Sequence, residues 1–372
     1  MKKLYVLVAL AMLAFSVNAK NAFLLLGSSI SNLPEEESVT DLGNIPENPE
    51  QNAANWYNNL FVRNGEGVLI STGEISTALQ NGITCIWVNI DRVGLDDIMT
   101  AGISDAVIAD LKAYVEAGGN IFLTKQACKI AHRIGRIYDP TWGNGGYSIG
   151  GDIWSINPQV GLWWTLEAAR RDNSDHPIYA GIDTIQVYST KMHEADTVNT
   201  PFGTFPFIGM VPRTDNNTGW IDYYRKDPND PTTILTVEEA ELAGIEVHYA
   251  NDNPLRLPDF ESDWNVRVLG IWGHVSDFCG GVIVEMYPEA EFQGTVFAIG
   301  SNAYQWGNSN DYIDNVKKLT KNTLNYLTAE ETAVENVTVD ANVQGIYNIF
   351  GQKVESMQAG QIYIVNGKKV MR

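Results

Sequence analysis

The sequence predicts an α/β protein: a mostly parallel sheet with helices on both faces, followed by a small C-terminal β module. Three observations predict it. Short apolar runs alternate with amphipathic stretches from residue 21 to residue 137, the pattern that right-handed βαβ crossovers leave in a sequence. Residues 105–137 hold a complete unit of helix, glycine turn, buried strand, sharp turn and second helix. Residues 311–327 form a closing amphipathic helix, with Ile313, Val316, Leu319, Leu324 and Leu327 on its apolar face.

The elements follow in order. Residues 1–19 carry Lys2 and Lys3, an apolar run over 4–15 and small residues at 17–19, which reads as a secretory signal peptide rather than a membrane span. No cysteine follows that run, so no lipid anchor is expected there, and no later run reaches the ~18 apolar residues of a transmembrane helix. The chain is expected to be exported: extracellular, at the cell surface or periplasmic. Strands are expected at 21–26, 67–71 and 83–90, and helices at 52–61 and 76–81, the latter stopped by Gly82. In the central unit, Val107, Ile108, Leu111, Tyr114 and Val115 share a helix face. Gly118 and Gly119 end that helix because glycine takes positive φ without a Cβ clash. Residues 120–124 suit a strand buried on both faces, and the next helix begins by Cys128.

Beyond Tyr138 the periodicity is lost. Residues 138–164 are dominated by Gly and Trp, and a long irregular stretch in a compact domain is usually functional. A brief helix is expected within 166–175, a strand at 184–189, and an insertion with hairpins at 201–260. Strands return at 266–272, 281–287 and 294–300. The main domain thus spans 20–327, a linker 328–340, and the β tail 341–372.

Charge narrows the partners. The chain has 45 acidic against 25 basic residues, a net charge of −20; removing the leader takes away two lysines and no acid. Such a chain is a poor match for nucleic acid or an anionic membrane, which demand Lys/Arg clusters. With charged residues at 19 % and aromatics at 10 %, it is a globular chain rather than a disordered one. Cys85, Cys128 and Cys279 are too scattered for a disulfide framework. Cys85 and Cys128 lie in apolar surroundings as expected free thiols, although one disulfide plus one free thiol remains open. No Cys/His spacing calls for zinc, and no G-x-G-x-x-G or phosphate loop follows the first strand; neither metal nor cofactor is expected.

Several residues carry candidate chemistry. Lys125 and Gln126 stand at the turn after the central strand, where open α/β sheets bind ligands; the turn is expected to be exposed, with Lys125 donating and Gln126 both donating and accepting. Trp142, Tyr147, Trp154 and Trp163, interleaved with glycine, offer flat faces for sugar rings or else cap the sheet as satellite core. His193 and Glu194 could act as an acid/base pair or metal ligands, or be a polar loop. His274, following a strand and close to Asp277, is a further catalytic candidate or a structural histidine. Asp91, Asp152, Glu194 and Glu285 are the carboxylates from which a glycoside-hydrolysing pair would be drawn, about 5–9.5 Å apart.

Two resemblances add to this reading. Through V-E-A-G-G-N-I-F-L-T-K-Q-A at 115–127, D-H-P-I-Y-A-G at 175–181 and the ending G-T-V-F-A-I-G-S-N-A-Y-Q-W-G-N with its helix, residues 21–327 resemble the class I glutamine-amidotransferase-like superfamily, and within it the ThuA-like proteins; the resemblance implies a flavodoxin-like sheet. Amidotransferases place a nucleophilic Cys in a G-x-C-x-G elbow after this strand. Here Lys125 stands at that position without the flanking glycines, so the resemblance does not carry the activity over. In length, leader and Gly/Trp segment the chain resembles a secreted Bacteroidetes family labelled domain of unknown function 4960. That resemblance implies a setting in polysaccharide utilisation, with fructan among the candidate glycans. The tail at 345–372 resembles a shortened type IX secretion sorting tail, which implies contact with secretion machinery; a packed terminal hairpin is the other reading. The expected function is carbohydrate binding in an accessory role. The alternatives are a glycan hydrolase or ThuA-like sugar-modifying enzyme using His193, Glu194 and His274, or a non-catalytic scaffold.

Overall fold

The computed structural model describes residues 20–26, 49–91, 98–138, 153–157, 159–160, 171–190, 199–206, 210–212, 224–227, 229–235, 237–244, 256–272, 281–301, 304–307 and 310–329, and the strands of a C-terminal unit. The chain splits into two compact units, Met1–Thr328 and Ala329–Arg372.

In the first unit the strands are β1 (Lys20–Leu24), β2 (Gly67–Ile70), β3 (Ile83–Ile90), β4 (Asn120–Lys125), β5 (Ile153–Asn157), β6 (Gln159–Val160), β7 (Arg171–Asp172), β8 (Thr184–Thr190), β9 (Asn199–Pro206), β10 (Met210–Pro212), β11 (Arg225–Asp227), β12 (Asp230–Leu235), β13 (Val266–Trp272), β14 (Gly281–Met286) and β15 (Val296–Ile299). The α-helices are α1 (Pro49–Tyr57), α2 (Asp105–Glu116), α3 (Lys129–Arg133), α4 (Val237–Leu242), α5 (Arg256–Trp264) and α6 (Ile313–Thr328). Nine strands form one mixed sheet in the order β10-β5-β13-β14-β15-β4-β3-β1-β2. From β2 to β15 every pairing is parallel; from β15 to β10 every pairing is antiparallel. All strands but β5 and β14 therefore point the same way, as an α/β chain with crossover helices requires.

The core is aromatic at its centre. Trp87 of β3 is fully buried and takes Phe23 edge-on at 4.8 Å and Trp306 at 5.7 Å. Trp56 of α1 reaches Trp306 at 4.9 Å, so the helix after β1 and the segment after β15 meet over one strand. Ser104 caps α2, accepting from Val107 N–H at 3.3 Å, and Asp105 favours the positive end of the helix dipole. Gly118 turns the chain out of α2 at φ +99°. The next glycine, Gly119, lies against Gly294 so closely that a Cβ on Gly294 would strike its carbonyl. Asn120 closes this seam: its Nδ2 donates to Leu327 O at 2.7 Å and its Oδ1 accepts from Thr295 N–H at 2.8 Å.

Three local expectations need correction. Part of the segment expected to be irregular, residues 153–157, is strand β5 and pairs with both β13 and β10. Arg171–Asp172 is a strand paired with β6, where a brief helix was expected. Residues 210–212, placed in the expected insertion, belong to the main sheet as β10. In each case a distant partner strand decides the backbone, and local periodicity does not record it.

The second unit carries β16 (Ile346–Asn348), β17 (Lys353–Val354), β18 (Ile362–Val365) and β19 (Lys368–Met371). They form an antiparallel sheet of order β17-β16-β18-β19.

Candidate functional site

Strand order reverses between β1 and β3: the chain crosses one way from β1 to β2 and the other way from β3 to β4. The carboxyl edge beside that point is where open α/β sheets form a crevice. Four side chains converge there: Glu50 from the first turn of α1, Asp91 just past β3, and Lys125 and Gln126 at the end of β4.

The backbone at Lys125 is the first notable feature. It takes φ 59°, ψ −128°, one of two non-glycine residues with positive φ among those described. One residue reverses β4 into the 3-10 turn Gln126–Cys128 and then α3. Such a strained strand-to-helix turn is how a nucleophile elbow presents its side chain, and strain of about 1–3 kcal/mol persists only where the surroundings enforce it. Here the presented side chain is a lysine, and it is sealed. Lys125 and Gln126 are both 0 % exposed, which corrects the expectation of an exposed turn. The Lys125 ammonium lies 3.4 Å from Asp91 Oδ1, with both side chains buried. Asp91 N–H in turn donates to Glu50 Oε1 at 3.1 Å. The adjacent layer is polar too: Thr124 Oγ1 donates to Asn89 Oδ1 at 2.7 Å and accepts from Trp87 Nε1 at 3.0 Å, and the Tyr304 and Thr320 hydroxyls meet at 2.5 Å.

Cys128 does not replace the missing nucleophile. It is fully buried, with Sγ 3.8 Å from Leu123 O. Burial pushes its thiol well above the ordinary range, and backbone N–H contacts and the charge of Lys125 only partly oppose this. Cys85 is likewise buried and pushed up by burial. The thiolate is the reactive form, so neither sulfur is poised for attack. Cys279 lies outside the described residues.

The remaining predicted residues do not gather at this edge among the described ones. His193, Glu194 and His274 lie outside the described residues, as do Trp142, Tyr147 and Trp163. Trp154 sits on β5, its backbone opposite Val211 of β10. Of the four candidate carboxylates, Asp152 and Glu194 lie outside the described residues. Asp91 and Glu285 are placed, and the register separates them. Glu285 faces Phe297, which faces Phe122, which faces Trp87, four residues before Asp91. Three strand spacings are roughly 14 Å and four residues of rise roughly 13 Å, well beyond the ~5–9.5 Å of a glycosidase pair.

Sequence reasoning missed one polar cluster. Glu285, 2 % exposed on β14, accepts from Tyr326 OH of α6 at 2.7 Å, and its other oxygen lies 3.6 Å from His176 Nε2. His176 Nδ1 accepts from Ile178 N–H at 3.5 Å, which leaves the ring proton on Nε2, facing the carboxylate. Burial pushes the Tyr326 and Tyr287 phenols up, and the charge of Glu285 adds to it. In the sequence His176 stood out only within the D-H-P-I element and Glu285 only as one of four carboxylates; nothing linked the two, which lie more than a hundred residues apart.

Among the described residues no group of three His, Cys, Asp or Glu could hold a metal ion, and no described helix is long and apolar enough to cross a membrane. No family model matches the chain, and no curated protein matches it.

Proposed function

We propose that this protein is an exported carbohydrate-binding accessory component of polysaccharide utilisation, with fructan among the candidate glycans, built on an amidotransferase-like fold that lacks the nucleophile. The observation that supports the reading is the sealed elbow. At the position where a thiol would attack a carbonyl, Lys125 is buried against Asp91 at 3.4 Å, and the nearest thiol, Cys128, is held in its unreactive protonated form. Such a site does not run acyl transfer. For a chain this acidic, polyanions are poor ligands, and neutral glycans fit its abundance of aromatic residues. The C-terminal β unit, in this reading, addresses the chain to secretion machinery.

The test is a panel of fructan, glucan and mannan preparations, read by calorimetry for binding and by product release for turnover. Heat of binding without products is the expected result. Turnover that disappears in Glu194→Gln overturns the reading in favour of an enzyme. No response to any member of the panel overturns the carbohydrate assignment.

A further inference from the structure

We propose that a groove between α3, the β11–β12 hairpin and the turn leading into β15 is the binding site for a short neutral oligosaccharide. The proposal rests on the carbohydrate reading and gives it a place among the described residues. The groove encloses about 490 Å³, within the roughly 300–1,000 Å³ of small-molecule sites.

Its walls are held firmly. Arg136, 1 % exposed, donates from Nη1 to Trp264 O at 2.9 Å and from Nη2 to Asn265 O at 3.1 Å and Tyr287 O at 2.6 Å. It also ion-pairs with Glu289 at 3.2 Å. Asn265, in the left-handed region at φ 49°, donates to Pro288 O at 3.0 Å. One guanidinium thus joins the end of α3, the end of α5 and the strand-connecting turn. On the opposite wall, Asp263 fixes the hairpin by accepting from Lys226 N–H at 3.0 Å and Arg225 Nε at 2.7 Å. A preformed site loses little entropy on binding.

The lining selects the ligand class. Trp264 is buried beneath the groove, and the Lys226 ammonium lies 4.3 Å over its ring, which holds that charge at the groove. Half-buried Tyr138 stands edge-on to His132 at 5.3 Å, and Glu289 and Glu291 supply carboxylate acceptors. An apolar ligand would strip water from Lys226 and Glu291 and return no hydrogen bond. An anion meets two carboxylates, and a cation meets Lys226. A saccharide offers both what the charged groups need, hydroxyls that donate and accept, and a CH face that Tyr138 can cover.

Calorimetry on the full chain tests this, with neutral fructo-, gluco- and manno-oligosaccharides of about two to four units and a uronic-acid oligomer for comparison. Tyr138→Ala and Lys226→Met are each expected to weaken the Kd about tenfold, the value of one hydrogen bond to a charged group or one ring face. Glu291→Gln, at an exposed residue that leaves the fold intact, is expected to weaken it about threefold. Wild-type affinity in all three variants overturns the site while the carbohydrate reading stands. Tighter binding of the uronic-acid oligomer than of any neutral one overturns the ligand class. No binding of any probe to the wild-type chain overturns both.

Discussion

The carboxyl edge of the parallel strands and the groove before β15 make opposite use of buried charge. At the edge, Lys125, Asp91 and Glu50 turn inward on one another, and the turn that looks built to present chemistry is closed. At the groove, Arg136 is equally buried, yet all its recorded contacts go to backbone carbonyls and Glu289, so the groups around it stay in place and face outward. The first arrangement consumes its polar groups in holding the sheet. The second spends one residue on scaffolding and leaves Tyr138, Lys226 and Glu291 at the surface. A strained elbow is therefore not by itself a sign of activity in this chain; what matters is whether the side chain it projects is already engaged.

The contrast can be broken at the edge first. Lys125→Met leaves Asp91 buried without its cation and is expected to cost about 3–5 kcal/mol, read from urea unfolding. Lys125→Met combined with Asp91→Leu should recover much of that loss, because replacing both members of a buried pair is often close to neutral. If the single variant costs under about 1 kcal/mol, the edge is not sealed in solution. Next in size, Arg136→Met should destabilise by about 3 kcal/mol, since three carbonyls and Glu289 lose a charged donor, and should also weaken oligosaccharide binding. Unfolding without an affinity change would separate the scaffold from the site. Tyr326→Phe should cost about 1–2 kcal/mol by removing the donor to buried Glu285.

Thiol labelling sharpens the view of the elbow. In a Cys279→Ser background, Cys85 and Cys128 should stay unmodified in the native protein and react only on unfolding; rapid native labelling of Cys128 would show that the edge opens. The smallest effect concerns Glu74, which lies at neither place and so calibrates the surface. Its carboxylate accepts from Ser71 N–H at 2.7 Å and from the Ser71 hydroxyl at 2.8 Å, which holds it below the ordinary carboxylate value. A folded pKa below the unfolded one stabilises above the unfolded value, about 4.3 for Glu, and that gain is lost as pH falls through the lower, folded value. Glu74→Gln should flatten the acid limb of the stability profile and cost no more than about 0.5 kcal/mol at neutral pH, given its exposure.

Strands with continuous apolar runs were legible in the sequence. β3 and β4 announce themselves because burial on both faces leaves nearly continuous apolar runs, and α2 because its cap and its glycine stop are local. β5 and β10 were not, because they lie in Trp/Gly- and Pro-rich stretches and exist through pairing with each other and with β13. Lys125 illustrates the limit at the site. A lysine at a strand end reads as solvated, and the residue that makes it buried, Asp91, lies far back in the chain with no pattern linking the two. Tyr138, Lys226, Trp264 and Glu289 were equally invisible as a group, since Arg136 ties Trp264 to Glu289 and Asp263 fixes Lys226, and nothing around Arg136 marks it as more than a surface charge.

The Asn120 seam has a consequence for how the chain becomes folded at all. β4 and β15 are neighbours in the sheet, yet the bond from Thr295 to Asn120 spans 175 residues. During synthesis the first parallel strands are complete long before their partner exists, and closing so long a loop adds an entropic cost that rises only with the logarithm of its length but slows the search. Until β15 arrives, β4 carries a bare edge of unpaired amides and carbonyls, open to pairing with another chain. The time between the emergence of Lys125 and that of Val296 is thus an interval in which the edge of β4 waits for its native partner.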